Sequence, residues 1–238
     1  MKIIEIKSAW QGNSDCTACS IRSSALFAEL NEEDFSKIHE PIDDLRFEAN
    51  IGIYSQGEAA EYLYTLREGY IKLLHINSDG SGRIVRLVVP GDLFGMEALL
   101  ESSYAHSASA LSNVRVCRIP KQIIASLGEE SPRLHRQIVK KWGEALSQSE
   151  SWFSEINTGR IEVRLARFFL RVAKVSGEMA VAPLFKREDM GLMMDVKFET
   201  ISGALASMAE QGLISNISRL SIQIPNIDRL RLFSQSSL

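Results

Sequence analysis

The sequence predicts an α+β protein in which an antiparallel β domain precedes a long helix and a small helical domain. Short β-branched and aromatic runs separated by glycines fill the region from about Leu45 to Pro120. An apolar heptad pattern then extends from Ser131 to Ile156. Two short helical segments joined by a tight turn follow, and a β-hairpin pattern comes after them, which is the order of a winged helix-turn-helix.

The composition excludes several classes of protein. The 238 residues are 45% hydrophobic and 24% charged, as in an ordinary globular protein. The uncharged apolar stretches are far shorter than the roughly 20 residues of a membrane span. Charges at Lys2, Glu5 and Lys7 lie where a signal peptide is apolar. We therefore expect a cytoplasmic protein whose three cysteines stay reduced or bind metal.

The net charge of −3 hides a difference between the two halves of the chain. Residues 1–120 hold 11 basic and 17 acidic side chains, whereas residues 121–238 hold 16 basic and 13 acidic ones. Such a step indicates an acidic first module and a second module that tolerates polyanions, although chance clustering explains it equally well. The charge pattern only directs attention to the second half as a nucleic-acid interface.

The first half reads as short strands punctuated by turn residues. The clearest runs are 62–66, 70–74 and 84–89, each rich in β-branched or aromatic residues. Regularly spaced strands of this kind predict an antiparallel sandwich or barrel. Asp79-Gly80 is predicted to form a hairpin tip, because glycine accepts the positive φ that such turns require.

A long helix is predicted to begin at Ser131 and Pro132, a capping hydroxyl followed by proline at the first helical position. A heptad seam follows, with alternating spacings of 4 and 3 residues, made of Ile138, Trp142, Ala145, Ser149, Trp152 and Ile156. This period favours a helix that pairs with a second copy in a homodimer. The alternative is a single amphipathic helix packed on its own domain.

The helix is predicted to end at Asn157-Thr158-Gly159. The chain is thereby divided into a β domain with the N-terminal cysteines (1–130), a dimerisation helix (131–158) and a winged helix-turn-helix (159–238).

The last part of the chain is predicted to be a compact helical unit. Helices are expected from Ile161 to Val175, from Arg187 to Met194 and from about Phe198 to Gln211, the last one ended by Gly212. Residues 213–215 and 220–224 predict a two-stranded wing. The second helix of a helix-turn-helix fits the DNA major groove, so this unit predicts binding to double-stranded DNA.

From about Cys16 to Phe233 the sequence resembles the CRP/FNR family of bacterial transcription regulators. The resemblance is carried by the order and spacing of several short segments: 57–58, 69–73, 90–95, 186–190, 198–202 and 210–214. It implies a cyclic-nucleotide-binding-like jelly roll (a β-roll) as sensor domain, a long dimerisation helix and a winged helix-turn-helix. It also implies RNA polymerase as a partner.

Two positions depart from the members that bind cyclic nucleotides. Aligned from Gly95, Met96 stands where those members offer a glutamate to the ribose, and His106 stands where an arginine binds the cyclic phosphate. Methionine cannot accept a ribose hydroxyl, and a neutral imidazole is a poor substitute for a bidentate guanidinium. We expect no cyclic AMP binding, with His106 a surface or loop histidine rather than a ligand.

The cysteines resemble those of the oxygen-sensing FNR branch. Cys16 and Cys19 match the start of its N-terminal cluster motif, and Cys117 lies where a distant fourth ligand is found. Ala25 stands where these members usually carry a further cysteine. Three thiolates can hold an iron–sulfur cluster if another group, such as Asp15, completes the set. The alternative is that the cluster has been lost and Cys117 is a small buried apolar residue.

The predicted DNA-reading helix keeps part of the family pattern. Glu199 and Ser202 are retained, but Gly203 stands where the family has an arginine that grips guanine. The candidate DNA-binding residues are Arg187, Lys197, Glu199, Thr200 and Ser202. A basic face that could contact phosphates includes Lys186, Arg187, Lys197 and Arg219.

The sequence therefore predicts a homodimeric transcription regulator of the CRP/FNR type that senses a redox, oxygen or nitric oxide signal. Its alternative is a dimeric sensor or scaffold that has lost sequence-specific DNA readout, as Gly203 would allow. No catalytic triad, phosphate loop or paired-carboxylate motif supports an enzyme.

Overall fold

A computed structural model describes residues 4–8, 26–27 and 42–235 of the chain. The chain divides into two compact units, Met1–Ser147 and Gln148–Leu238, here called the N-terminal and C-terminal units. Each is built around its own apolar core. The three-part division expected from the sequence stays a prediction.

The N-terminal unit is built on two antiparallel sheets, as the strand pattern predicted. In the order of hydrogen-bonded neighbours, one sheet consists of β1 (Ile4–Ser8), β2 (Asp43–Phe47), β9 (Val114–Pro120), β4 (Tyr62–Glu68) and β7 (Leu93–Phe94). The other consists of β3 (Gly52–Tyr54), β8 (Ser107–Ala110), β5 (Ile71–Ile76) and β6 (Gly82–Val88). Strands distant in sequence pair directly, which is the crossover pattern of a β-roll rather than of a simple meander.

The core of this roll is apolar and well closed. Leu63, Leu66 and Ile71 are fully buried. Four successive residues of β4 are buried, so this strand is covered on both of its faces. The predicted hairpin tip lies between β5 and β6, where Asp79 accepts a hydrogen bond from the Ser81 amide at 2.8 Å. The sequence prediction of this hairpin is confirmed.

Buried aspartates of β2 are held by arginines from neighbouring strands. Asp44 accepts hydrogen bonds from Arg67 on β4 at 2.7 Å and from Nε of Arg115 on β9 at 2.9 Å. Asp43 accepts one from Nε of Arg118 at 2.9 Å. A buried carboxylate is costly unless it is paired, so these contacts favour one register of β2 against β9.

Two helices follow the roll, Lys121–Glu130 and the long helix Pro132–Ser151. The Ser131 hydroxyl accepts a hydrogen bond from the Leu134 amide at 3.3 Å, which confirms the predicted start. After Ser151 the chain continues as a π-helical turn, Trp152–Ile156. The predicted helical stretch to Ile156 is therefore present, with a wider last turn.

The C-terminal unit contains four helices among its described residues and one small antiparallel sheet. The helices are Ile161–Val172, Arg187–Met194, Phe198–Glu210 and Ile227–Ser234. The sheet has the order β10 (Lys174–Ser176), β11 (Met179–Pro183) and β12 (Ser221–Ile224). Helix Phe198–Glu210 presents one side to the core through Ile201, Ala204, Leu205 and Met208.

Two expectations for this unit need correction, and one helix was not expected. The helix predicted to reach Val175 ends at Val172, because Ala173 is extended and leads into β10. The wing is a three-stranded sheet rather than a two-stranded one, and Ser215 contributes only a single bridge to Gln223. The last helix was not predicted, although the Asn226 side chain caps it by accepting from the Arg229 amide at 2.8 Å.

Within the part of the chain that the structure describes, no helix has both the length and the apolar character needed to cross a bilayer.

Candidate nucleic-acid interface and effector site

The helix-turn-helix is formed by Arg187–Met194 and Phe198–Glu210, hereafter the recognition helix. Asp195 ends the first helix in a left-handed conformation with φ of 51°. The Val196 amide then donates to the Gly191 carbonyl at 3.1 Å. A β-carbon on Gly191 would lie 2.6 Å from the Val196 carbonyl oxygen, so the tight turn requires glycine there.

The exposed face of the recognition helix carries most of the predicted DNA-binding residues. Lys197 precedes the helix, and Glu199, Thr200 and Ser202 follow on its first turns, all of them exposed. Such side chains at the N-terminal end of a recognition helix are placed to meet base edges and phosphates.

Arg187 lies on the preceding helix and is half-buried. Burial lowers the pKa of its guanidinium, although an arginine keeps its charge in any protein environment near neutral pH. The structure therefore brings four of the five predicted residues onto one exposed segment and places the fifth on the neighbouring helix.

Gly203 lies on the exposed side of the recognition helix with open space around it. No atom outside its own helical turn lies within 4 Å of a β-carbon placed there. Nothing in the fold thus requires glycine at this position. The missing side chain leaves bare surface, rather than a gap filled by another residue.

Two arginines that sequence reasoning missed hold the ends of helices in this unit. Nε of Arg164, which is buried, donates to the Ile156 carbonyl at 2.6 Å, and its other nitrogen donates to the Met194 carbonyl. Arg167 donates to the Glu155 carbonyl at 2.9 Å. The sequence gives little indication of this role, because two arginines three residues apart on an apolar helix are typical of its solvent-exposed edge.

In the roll, the residues around Met96 form a closed aromatic cluster. Gly95 adopts φ of 70° and starts a short 3-10 helix, Met96–Leu99. The rings of Tyr54 and Tyr104 stack at 3.8 Å between centroids with an angle of 16°. Tyr64 stacks on Phe94 at 5.1 Å. The protein's own aromatic side chains occupy this corner of the roll.

His106 is half-buried and interacts with Glu97, which sequence reasoning did not single out. Nδ1 of His106 lies 3.3 Å from Oε1 of Glu97, and the exposed fractions of the two side chains are 29% and 22%. Burial alone would raise the pKa of Glu97, but the hydrogen bond with His106 and backbone hydrogen bonds bring it below its usual value. Glu97 is thus a carboxylate at neutral pH.

A second polar group lies beside this pair. The Tyr54 hydroxyl is buried and has no hydrogen-bond partner among the described residues. Burial, followed by the Glu97 carboxylate, raises its pKa well above the usual value. The ring of His75 lies 5.8 Å from that of His106. Two charged groups thus act on Tyr54 in opposite directions, the Glu97 carboxylate raising its pKa and the Arg86 guanidinium lowering it.

The cysteine site is described only in part. Cys16 and Cys19 lie outside the described residues. Cys117 is half-buried on β9, opposite Asp44 on β2 and Thr65 on β4, and packs against the apolar core of the roll. Among residues 42–235, no three histidine, cysteine or carboxylate side chains come together in a way that could hold a metal ion. The predicted set of Cys16, Cys19 and Cys117 stays a prediction.

The predicted dimer seam is distributed over both units. Ile138 packs against the core of the roll, whereas Trp152 and Ile156 are buried in the C-terminal unit, with Trp152 edge-on to Phe168 at 6.2 Å. The remaining seam positions, Trp142, Ala145 and Ser149, are half-buried or exposed. A single chain does not test the interface itself, so the seam stays a prediction.

Comparisons with known proteins agree with this architecture. The chain matches the family model of the cyclic nucleotide-binding domain over residues 44–131 and that of the Crp-like helix-turn-helix domain over residues 163–233. The solved structure of FixK2 from Bradyrhizobium japonicum superposes with a TM-score of 0.71 at 23% identity, covering 83% of this chain and 99% of that one. The superposition shows a common fold.

Relatives at the level of sequence are transcription regulators by name. LdrP of Thermus thermophilus is 30% identical over 165 residues, which are 69% of this chain and 78% of that protein. The anaerobic regulatory protein of Pasteurella multocida is 27% identical over 206 residues, 84% of this chain and 76% of that protein. With its β-roll, its helix-turn-helix and these relatives, the chain belongs to the CRP/FNR family, whose members are transcription regulators and not enzymes.

Proposed function

We propose that this protein is a homodimeric regulator that binds double-stranded DNA through the recognition helix and responds to a redox, oxygen or nitric oxide signal rather than to cyclic AMP. The observation that carries the proposal is the exposed face of the recognition helix, where Lys197, Glu199, Thr200 and Ser202 are free of the core. A protein that regulates genes in this way acts in the cytoplasm, where bacterial DNA lies.

The closed corner of the roll supports the exclusion of cyclic AMP. A cyclic phosphate would approach the Glu97 carboxylate and an imidazole that this carboxylate already engages. Two charges of the same sign at close range in a partly buried site repel strongly. Met96 offers no acceptor to a ribose hydroxyl.

The position of Cys117 supports a signal received through the cysteines. Leu26 and Phe27 are buried in the same roll core against which Cys117 packs. Cys19 is seven residues before Leu26, and an extended chain of that length spans at most about 25 Å. The proposal places the N-terminal cysteines at Cys117, which packs against the same apolar core as Leu26. An iron–sulfur cluster on these thiolates would supply an oxidant-sensitive group.

The long helix supports a dimer. Val139 and Leu146 lie seven residues apart on it and are 56% and 62% exposed, with half-buried Trp142 between them. An exposed apolar stripe with a period of seven is the pattern of a helix that pairs with another copy. In a dimer, the two recognition helices would meet half-sites about 34–36 Å apart. The family resemblance implies RNA polymerase as a further partner.

The dimer is tested by Leu146→Glu, which should give a monomer by light scattering because it places an unpaired charge in the interface. Lys140→Glu is the matched control, since Lys140 is an exposed polar position of the same helix. If both variants remain dimeric, the stripe is not the interface.

The signal is tested by anaerobic reconstitution with iron and sulfide. The wild type should take up roughly four irons per subunit with broad absorbance near 400 nm, as thiolate-bound clusters do. Cys16→Ser and Cys117→Ser should each abolish the uptake. The melting temperature of both variants separates loss of ligands from loss of the fold. If the wild type takes up no iron, the cysteines are not the sensor.

A dimeric sensor or scaffold without sequence-specific DNA readout is the second candidate, and Gly203 favours it. A bidentate arginine contact to guanine is worth about 1–3 kcal/mol of discrimination. Selection from a random DNA library separates the two functions, because a scaffold enriches no sequence whereas a regulator enriches a two-fold symmetric site.

A further inference from the structure

The recognition helix carries an exposed aromatic residue at its N-terminal end. Phe198 is the first residue of the helix, and 47% of its side chain surface is exposed. The helix is anchored to the core by Ile201 and Leu205, both fully buried, so packing does not need Phe198 in the interior. An exposed ring at the end of a helix that enters DNA is a candidate contact to the bases.

The chemistry of the exposed face limits the bases that it can read. From Lys197 to Glu210 the sequence contains no arginine, and Lys197 is its single cation. Gly203 adds no side chain, and the Ser202 hydroxyl donates back to the Phe198 carbonyl at 3.2 Å. Recognition of guanine by an arginine fork therefore has no residue on this helix, and Lys197, just before it, is the one cation of the segment that can donate to guanine.

What the face does offer is an apolar ring beside a carboxylate. In the major groove, thymine alone presents a methyl group, and cytosine presents an amino donor that a carboxylate can accept. Phe198 fits the first of these groups and Glu199 the second. Among residues 198–210, Phe198 is the one large apolar side chain that is exposed, and Gly203 adds no side chain to this face.

We propose that Phe198 is a specificity-determining residue that reads a thymine through its C5-methyl group in each half-site. The proposal rests on the proposed DNA-binding function. It predicts an operator whose half-site contains a thymine at which loss of the methyl group alone weakens binding.

The test begins with selection of a site from random DNA by the full-length wild type. Each thymine of the selected half-site is then replaced by deoxyuridine, which removes only the methyl group, and affinity is measured by fluorescence anisotropy. At one position the wild type should lose about fourfold per half-site, the value for one buried methyl-sized group. Phe198→Ala should bind the two DNAs equally, while Ala206→Ser, at an exposed position of the same helix that is not among the DNA-binding candidates, should keep the difference.

The outcomes separate the inference from the function on which it rests. If the wild type enriches no sequence, DNA readout itself is absent. If it enriches a site but tolerates deoxyuridine at every thymine, the regulator stands and the role of Phe198 is overturned. If Phe198→Ala retains the methyl preference, another residue reads the thymine and the assignment is equally overturned.

Discussion

The corner of the roll around Met96 and the exposed face around Gly203 both lack an arginine or glutamate that the family resemblance implies, yet the structure treats them in opposite ways. In the roll, contacts within the protein surround the altered positions: His106 engages Glu97, and Tyr54 stacks on Tyr104. On the recognition helix, no neighbouring atom approaches a β-carbon placed at Gly203. One departure lies among contacts of the fold, and the other lies on open surface.

This difference indicates what each change does to function. In the proposed function, the contacts at the corner of the roll stand where a nucleotide effector would bind. The open position on the recognition helix costs the fold little and would alter what the interface recognises.

The largest expected difference between the two regions is in the free energy of unfolding lost when one phenylalanine of each is replaced by alanine. Phe94 is 1% exposed in the aromatic cluster, so Phe94→Ala should lower the free energy of unfolding by about 3–5 kcal/mol. Phe198→Ala, at 47% exposure, should change it by less than about 0.5 kcal/mol. Urea titration of the full-length variants measures both values. Equal losses would show that Phe198 belongs to the core and would break the comparison.

Replacing one glycine of each region by alanine should have smaller effects on stability, and the two effects should have opposite signs. Gly95 has φ of 70°, and a β-carbon there would lie 3.1 Å from the Tyr62 carbonyl, so Gly95→Ala should destabilise the protein by about 1–2 kcal/mol. Gly203→Ala should instead stabilise it by up to about 1 kcal/mol, because alanine favours a helix and has open space. Thermal melting of the two variants decides the matter, and destabilisation by Gly203→Ala would reveal a contact at that position.

The smallest expected effect is on the loss of folding stability at acid pH. The pKa of Glu97 is lower in the folded protein than usual, so its contribution is present above the carboxyl pKa of the unfolded chain and is lost as the pH falls through the folded value. His106→Gln removes the hydrogen bond from the imidazole. The free energy of unfolding of the wild type should exceed that of this variant by up to about 1 kcal/mol near neutral pH. In denaturant titrations at a series of pH values, this difference should shrink below about pH 4. A difference that does not change with pH would mean that the two groups do not interact.

Much of the fold was predictable from local signals. Strands β4, β5 and β6 are rich in β-branched, aromatic or leucine residues, and their glycine turns set the boundaries. The start of the long helix followed from the Ser131 cap, and the turn of the helix-turn-helix followed from the break at Asp195. Such signals depend on the residues themselves, so they need no knowledge of tertiary contacts.

What the sequence did not predict depends on contacts between distant residues. The start of strand β10 was assigned to the helix predicted from Ile161 to Val175, whereas pairing of Lys174 with Val181 decides its conformation. Glu97 was overlooked since its role requires His106 nine residues later. Arg164 was overlooked because its partners are main-chain carbonyls, and such partners cannot be predicted from residue types.

The most direct test of the central claim measures the wild type on its selected operator while cyclic AMP is added. If the corner of the roll is closed and the recognition helix reads DNA without a nucleotide effector, fluorescence anisotropy should give the same DNA affinity with no cyclic AMP and at millimolar cyclic AMP. A saturable increase in DNA affinity at micromolar cyclic AMP would contradict the account, because it would require a nucleotide site where Glu97 and His106 lie.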